Sequence, residues 1–378
     1  MRFAKSVHLG DNSRMETPDI LVIGAGIIGC SLARELARAN QRVVVVERGA
    51  VGAGASSAAA GLLAPALSAS PVGPLADLCF QSAALYQSWV EELRQDGAGD
   101  VGYRKPGLLE LYKESNPPTQ IEQSRQRTER LSPQELRKHE PALRDERLAA
   151  VLYPDAAQVN AARVTRQVAR VAELTGVQIR VNEPVHRLVH DGERIGAVHT
   201  GSTVYHPGLV VVTAGAWSGD LASSVGLQLP TRPVKGQLLL ADCLVSPVRT
   251  PMHYGEALLA PQAGGRLMLG VTIEEVGFDE RVTVAGVRAI LERTAALVPG
   301  LDELPLYRAW AGLRPATPDE RPYMGPLPPI RNLWVSTGHY RKGILLAPHC
   351  ARLLARSILA DRLDDELAPF KPTRGLRT

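Results

Sequence analysis

At 378 residues the chain is long enough for two domains and a large buried core. Hydrophobic residues make up 45% and charged residues 22%, the balance of a soluble globular enzyme, and no stretch approaches the roughly 18 unbroken apolar residues of a membrane span. The net charge of +4 is dispersed among acids and gives no footprint for nucleic acid, while the four cysteines lie far apart without a C-x-x-C pair, which argues against a disulfide framework or a metal site.

Residues 1–17 hold no apolar core of signal-peptide length and no periodicity. They are expected to be a disordered extension, with Met15 as an alternative start that would set residues 1–14 apart from the native protein. The absence of a leader and the cysteine usage together predict a cytoplasmic protein.

The next segment organises the rest. Residues 20–23 are an apolar run of buried-strand type that breaks into Gly24-Ala25-Gly26-Ile27-Ile28-Gly29. A helix follows, with Ile28, Leu32 and Leu36 four apart on one face and Arg34, Glu35 and Arg38 among its polar positions. A second buried strand, residues 43–46, ends at Glu47, 18 residues beyond Gly29. Strand, turn, helix, strand and acid form a dinucleotide fingerprint. Gly24 allows the tight turn, Gly26 lets backbone approach a pyrophosphate, and Gly29 lets helix pack on strand so that its first N–H groups face the phosphates. Glu47 is placed to accept hydrogen bonds from an adenosine ribose, which argues against a 2′-phosphate and so against NADP. Between FAD and NAD the fingerprint does not choose.

Further along, residues 52–65 are small and alanine-rich and end in Leu62-Leu63-Ala64-Pro65, suited to close approach by a flat ligand. A helical pattern runs through Leu85, Trp89 and Leu93, and Ser132-Pro133-Gln134-Glu135 is a capping box with proline at the first helical position. Residues 160–176 read as an amphipathic helix ending at Gly176, and short strands follow. Residues 210–212 make a buried strand that empties into a glycine turn, so the chain returns there to the nucleotide-binding sheet. A β-rich segment opens at Pro233-Val234-Lys235-Gly236 and runs to about residue 273, then a helix near 283–297 and a last short strand at 333–336. The C-terminal helix opens at Gly343, with Ala347, Ala351, Leu354 and Ile358 on its buried face and Pro348 tolerated only in its first turn.

In this order the pieces resemble the D-amino-acid oxidase superfamily of flavoproteins, and within it the glycine oxidases of thiamine biosynthesis. Besides the fingerprint, the resemblance rests on Ser56-Ser57-Ala58-Ala59-Ala60-Gly61-Leu62, Pro233-Val234-Lys235-Gly236, Gly312-Leu313-Arg314-Pro315, Gly338-His339-Tyr340-Arg341 and Gly343-Ile344-Leu345-Leu346-Ala347-Pro348, and it runs from about residue 18 to 365. It implies a two-domain α/β fold, with a Rossmann-like parallel sheet binding FAD and a mainly antiparallel sheet covering flavin and substrate. Both domains are expected to be discontinuous: residues 18–100, 155–228 and 308–366 in the first, residues 101–154 and 229–307 in the second.

By the same resemblance, adenine-side contacts fall on Ile27, Ile28, Glu47, Arg48 and Val185. The isoalloxazine falls against Ser56, Ser57, Ala60, Gly61, Leu62 and the backbone of His339, Tyr340, Arg341, Lys342, Gly343, Ile344 and Leu345. The substrate carboxylate falls on Arg314 and Arg341. Chemistry supports that last assignment, because a carboxylate fits a planar two-donor fork and arginine stays charged at any working pH. A helix starting at Gly343 would aim its positive end at the flavin pyrimidine ring.

The sequence departs from the glycine-oxidase pattern at two places. A pocket tyrosine of that pattern is replaced by Leu258, and a methionine by Leu62. Tyr254, an even number of residues before Leu258, is expected to face the same side. No cysteine lies between Arg314 and His339, so FAD is expected to be noncovalent. The implied reaction is oxidation of a small amino acid (glycine, sarcosine or a small D-amino acid) at Cα, with hydride passing to flavin N5 and no general base. Oxygen is the expected acceptor, and a homo-oligomer is allowed. The alternatives are an amino-acid or imino-acid (proline-type) dehydrogenase feeding a quinone, and a non-catalytic flavin-binding subunit.

Overall fold

The computed structural model describes residues 14–68, 72–118 and 125–374. Strand Ile20–Ile23 lies near the middle of a six-stranded sheet whose order is Tyr323–Pro326, Leu333–Thr337, Leu209–Val212, Ile20–Ile23, Val43–Val46 and Gln178–Arg180. Only the edge strand Tyr323–Pro326 is antiparallel. The central strands are apolar throughout because both faces are covered. Ile20, Val22, Val43 and Val45 face the helices Ile27–Arg38, Pro74–Gln95, Ala161–Leu174 and Gly343–Leu359. Leu21, Ile23, Val44 and Val46 face a core shared with Leu188, Ile195, Val198 and Tyr205 of a small four-stranded sheet. Alternation along each strand sends successive side chains to opposite layers.

Three differences from expectation appear in this domain. Residues 14–16, expected to be disordered, form strand Arg14–Glu16, paired in parallel with Thr203–Tyr205 at the edge of the small sheet. Its backbone bonds and the contact of Glu16 with Arg180 tie it down; residues 1–13 lie outside the described residues. Arg34, read as a polar-face residue, is fully buried and ion-paired to Glu35 and Asp96 at 2.7 and 2.5 Å. Pro348 sits beyond the first turn of Gly343–Leu359, where it removes the N–H that would bond Ile344.

The second layer system is an eight-stranded sheet, in the order Leu306–Ala316, Arg232–Asp242, Arg266–Gly270, Ala257–Gln262, Met252–Tyr254, Leu108–Lys113, Leu148–Tyr153 and Glu129–Leu131. All its pairings are antiparallel except that of Met252–Tyr254 with Leu108–Lys113. Leu239, Ala241, Leu259, Leu267 and Leu269 point to one face, in a core with Ile290 and Leu297 of helix Val284–Leu297 and Leu136 of the capping-box helix Pro133–His139. The alternate residues Leu238, Ala260 and Met268 point the other way, toward Ala60 of the first domain. Strand Leu306–Ala316, expected from residue 308 onward in the cofactor domain, is thus a strand of this second sheet. It carries Arg314 and touches the first domain through the Trp310 Nε1–H bond to the Ala58 carbonyl, 3.1 Å.

Candidate active site

A cavity of about 900 Å³ runs between the two sheets, from the Gly24–Glu47 end of the first domain to Arg314 and Arg341. That is near the upper end of the roughly 300–1,000 Å³ typical of ligand pockets. At the first end, helix Ile27–Arg38 is seated hard against its strand. A Cβ on Gly29 would overlap the Gly24 carbonyl oxygen and crowd the Thr213 hydroxyl, so only glycine lets the helix N-terminus come this close. Glu47 is held by two backbone donors, Ala25 N–H at 2.8 Å and Gly49 N–H at 3.0 Å, which fix its carboxylate at the strand end and leave acceptor capacity for a ligand. The Ser56 hydroxyl accepts from Ile27 N–H at 3.0 Å, tying the small-residue segment to the helix start.

Of the residues singled out in the sequence, Gly24, Gly26, Ile27, Ile28, Glu47, Arg48, Ser56, Ala60, Gly61, Leu62, Val185, Leu258, Arg314, His339, Tyr340, Arg341, Gly343 and Ile344 line this cavity. Gly29, Ser57, Tyr254, Lys342 and Leu345 do not. Gly29 acts through packing. Lys342 is buried beside the Tyr340 ring, with its Nζ 5.7 Å from the ring centre, and the Leu345 carbonyl accepts from Ser82 Oγ at 2.6 Å on the helix side. Tyr254 packs into the core behind the second sheet. Strands Met252–Tyr254 and Ala257–Gln262 are joined by a two-residue turn, with Gly255 at φ 57°, so Leu258 faces His253 and Ala257 faces Tyr254. Across such a turn, partners on one face have opposite parity, and it is His253 that shares the cavity wall with Leu258.

His253 therefore went unnoticed in the sequence, as did Trp217, which no local pattern marks. Arg48 lies over the Trp217 ring at 3.4 Å, and Phe278 stacks on it at 5.3 Å.

At the far end, Arg314 is anchored edge-on. Its Nη1 donates to the carbonyls of Lys235 and Thr272 at 3.2 and 3.1 Å, and its Nη2 donates to Thr272 at 3.1 Å. Three of its five N–H groups are spent; Nε–H and one Nη2–H remain side by side on the free edge, the two-donor fork that fits a carboxylate. Burial pushes the Arg314 pKa down from its ordinary value, Arg341 adds repulsion, and Tyr340 and Glu274 oppose them. Among the described residues neither Arg314 nor Arg341 has a carboxylate within ion-pair distance: Arg314 bonds only backbone carbonyls, and the cavity's acids, Glu47, Glu183, Asp220 and Glu280, pair with neither. His253 is pushed toward its neutral form by burial and then by Arg341. His339, 3% exposed, is held neutral by burial, its pKa lowered to about 3. Its Nε2 and the Ser336 hydroxyl find no hydrogen-bond partner among the described residues. The N-terminus of helix Gly343–Leu359 opens on the same wall through Gly343 and Ile344, with no acid in its first turn to neutralise it.

The sequence profile of the family described as FAD dependent oxidoreductase (DAO) matches residues 19–357. The chain belongs to that family. Glycine oxidase of Geobacillus kaustophilus is 34% identical over 94% of this chain and 97% of its own length. The bifunctional protein ThiO/ThiG of Synechocystis is 33% identical over 96% of this chain and 55% of its length. The crystal structure of glycine oxidase from Geobacillus kaustophilus superposes with a TM-score of 0.88 at 32% identity, covering 95% of this chain and 99% of that one. FAD is the cofactor of this family member, and the cavity suits it: a glycine cradle and helix N-terminus for the pyrophosphate, an acid for the ribose, and orphaned buried polar atoms and a second helix N-terminus at the flavin end. When bound, FAD supplies the two-electron oxidant. No helix among the described residues is long and apolar enough to cross a membrane.

Proposed function

We propose that this FAD-dependent oxidoreductase oxidises a small amino acid at its Cα–N bond, with glycine, sarcosine and small D-amino acids as the substrate class. The observation that carries this reading is the pair of guanidinium groups, Arg314 and Arg341, brought onto one cavity wall with no carboxylate among the described residues in ion-pair distance of either. A buried cation without a counter-ion is costly, and a substrate carboxylate on the free edge of Arg314 relieves that cost. An inert flavin-binding subunit would have no use for such a clamp. The role of the protein is orientation: the carboxylate is fixed, the Cα–H is held against the cofactor, and bulk water is kept from the buried wall. Neutral His253 and His339 avoid adding further positive charge beside the arginines and favour the neutral form of the substrate amine, whose lone pair is needed as the Cα hydride leaves.

Leu258, Leu62, Leu238 and Val271 give the wall an apolar stretch. Where the glycine-oxidase pattern has a tyrosine, Leu258 leaves room for a methyl on nitrogen or Cα. Residues 101–154 and 229–316 form the substrate domain, and the remainder binds FAD. The two electrons taken from the substrate leave it as an imine, which water hydrolyses to the 2-oxo acid and ammonia or an amine, and oxygen accepts the electrons to give hydrogen peroxide. The reaction supplies thiamine thiazole synthesis, a role supported by the similarity to the glycine oxidase and ThiO/ThiG proteins, and the setting is the cytoplasm.

The test is a panel of glycine, sarcosine, D-alanine and proline on purified protein, recording flavin bleaching without air and peroxide in air. Bleaching with peroxide is expected. Bleaching without peroxide would replace oxygen with another acceptor, and no bleaching by any amine would remove the enzymatic reading.

A further inference from the structure

Arg314 is aimed by two carbonyl oxygens, and those carbonyls are themselves held by a buried polar network. The Thr272 carbonyl takes both Nη groups of Arg314, at 3.1 Å each. The Thr272 side chain is fixed from two directions: its hydroxyl accepts from Gln237 N–H at 2.9 Å and donates to Glu274 Oε1 at 2.5 Å. Gln237 Nε2 donates to the same carboxylate oxygen at 2.7 Å. The other oxygen, Oε2, pairs with Lys235 Nζ at 2.9 Å, and Lys235 is 1% exposed. The backbones of residues 235 and 274 also exchange both hydrogen bonds, at 2.8 and 3.0 Å, so the Lys235 carbonyl that accepts from Arg314 Nη1 is locked to the same strap.

We infer that Glu274, through Thr272 and Lys235, is a positioning residue for the Arg314 fork. It sets which edge of the guanidinium faces the cavity. The inference rests on the proposed reading of Arg314 as the carboxylate ligand. The physical case has two parts. The Glu274 carboxylate bonds Lys235, Thr272 and Gln237 at once, so it joins both carbonyl-bearing segments into one rigid unit. Its negative charge also compensates buried Lys235, so the guanidinium beyond it keeps its edge for a ligand instead of bonding Glu274 itself. Burial alone would raise the Glu274 pKa, but the bonds from Thr272, Lys235 and Gln237 prevail and hold it below the usual carboxylate value. The network does not touch the cofactor end of the cavity, so its loss should loosen the clamp and spare FAD.

The experiment measures acetate binding to the FAD-loaded enzyme by titration calorimetry, with FAD content and glycine kinetics alongside, for Arg314→Leu, Glu274→Gln, Thr272→Val and Thr272→Ser. Thr272→Val is nearly isosteric and removes only the hydroxyl link, so it carries the test if Glu274→Gln folds poorly. Acetate Kd should rise roughly three- to tenfold in Thr272→Val and roughly ten- to hundredfold in Glu274→Gln at unchanged FAD content. The rise should appear mainly in KM for glycine, and Thr272→Ser should restore wild-type values, which a general packing defect would not allow. If Thr272→Val binds acetate as wild type does while Arg314→Leu does not, the network positions nothing and the inference fails alone. If Arg314→Leu itself keeps wild-type acetate affinity, the clamp reading fails and takes the inference with it.

Discussion

The guanidinium of Arg314 lies directly against the backbone of Gly236 on the neighbouring strand, so closely that a Cβ there would overlap Nη1, Nη2 and Cζ together. Gly236 and Gly312 are register partners, two residues from the Val234–Arg314 pair. Gly236 has no positive φ, so alanine brings no backbone strain and changes only the space available. Gly236→Ala is expected to keep FAD and lower kcat/KM on the order of a hundredfold, the cost of an approximately 1 Å misplacement in a positioned site. Steady-state kinetics with FAD quantitation checks this, and wild-type kcat/KM would show that the close approach has no bearing on turnover.

Leu258 faces His253 across the hairpin, and both line the cavity. Leu258→Tyr puts a ring and a hydroxyl into the apolar part of the wall. The ratio of kcat/KM for sarcosine to that for glycine should fall by roughly tenfold or more, the scale on which a pocket discriminates a methylene-sized group. An unchanged ratio would place the substrate substituent elsewhere.

Buried His339 gives a pH dependence of known sign. Its pKa falls from 6.5 unfolded to about 3 folded because burial disfavours the cation. Between those values the unfolded chain binds the extra proton and the folded chain does not, so stability rises with pH through that window and is fully present above 6.5. By pH 5 the loss from this group is about 2 kcal/mol. His253 and His349 shift in the same direction and add to it. Thermal unfolding at pH 7.5 and 5.0 should show a smaller acid loss in His339→Gln than in wild type; equal losses would contradict a neutral folded-state His339.

The dinucleotide end was legible because its logic is local: Gly24, Gly29 and Glu47 belong to one contiguous strand–helix–strand unit. Arg314 and Leu258 were legible through motif resemblance. Tyr254 was misplaced because parity counts along a single strand, and a two-residue turn reverses it. Lys342 and Leu345, named in the sequence for their backbone, do not line the cavity: a helix start turns successive residues through about 100°, sending some toward the cavity and others into the core. The carbonyls of Lys235 and Thr272 around Arg314, and the Phe278–Trp217 stack, depend on partners tens of residues apart, which no spacing rule reports. Strand Arg14–Glu16 was missed for the same reason: its partner is Thr203–Tyr205.

No cysteine is among the residues lining the cavity, so acid precipitation of the enzyme should leave FAD in a yellow supernatant. Glu47→Lys replaces the carboxylate assigned to the ribose by the proposed FAD placement with a cation and abandons the Ala25 and Gly49 N–H groups. FAD occupancy after purification should drop sharply. A yellow pellet in the first experiment, or full occupancy in the second, would overturn the corresponding assignment.

The central claim, a carboxylate clamp built on Arg314, is tested most directly by kcat/KM and acetate Ki for Arg314→Leu with FAD content measured in parallel. Removing one partner of a buried, hydrogen-bonded charge pair costs on the order of 2–5 kcal/mol, which is roughly thirty- to several-thousand-fold in kcat/KM. Loss of binding alone would appear in KM, and loss of alignment would also lower kcat. The account predicts that fall together with a matching weakening of acetate at full FAD occupancy. Near-wild-type values for both, with FAD fully bound, would contradict it.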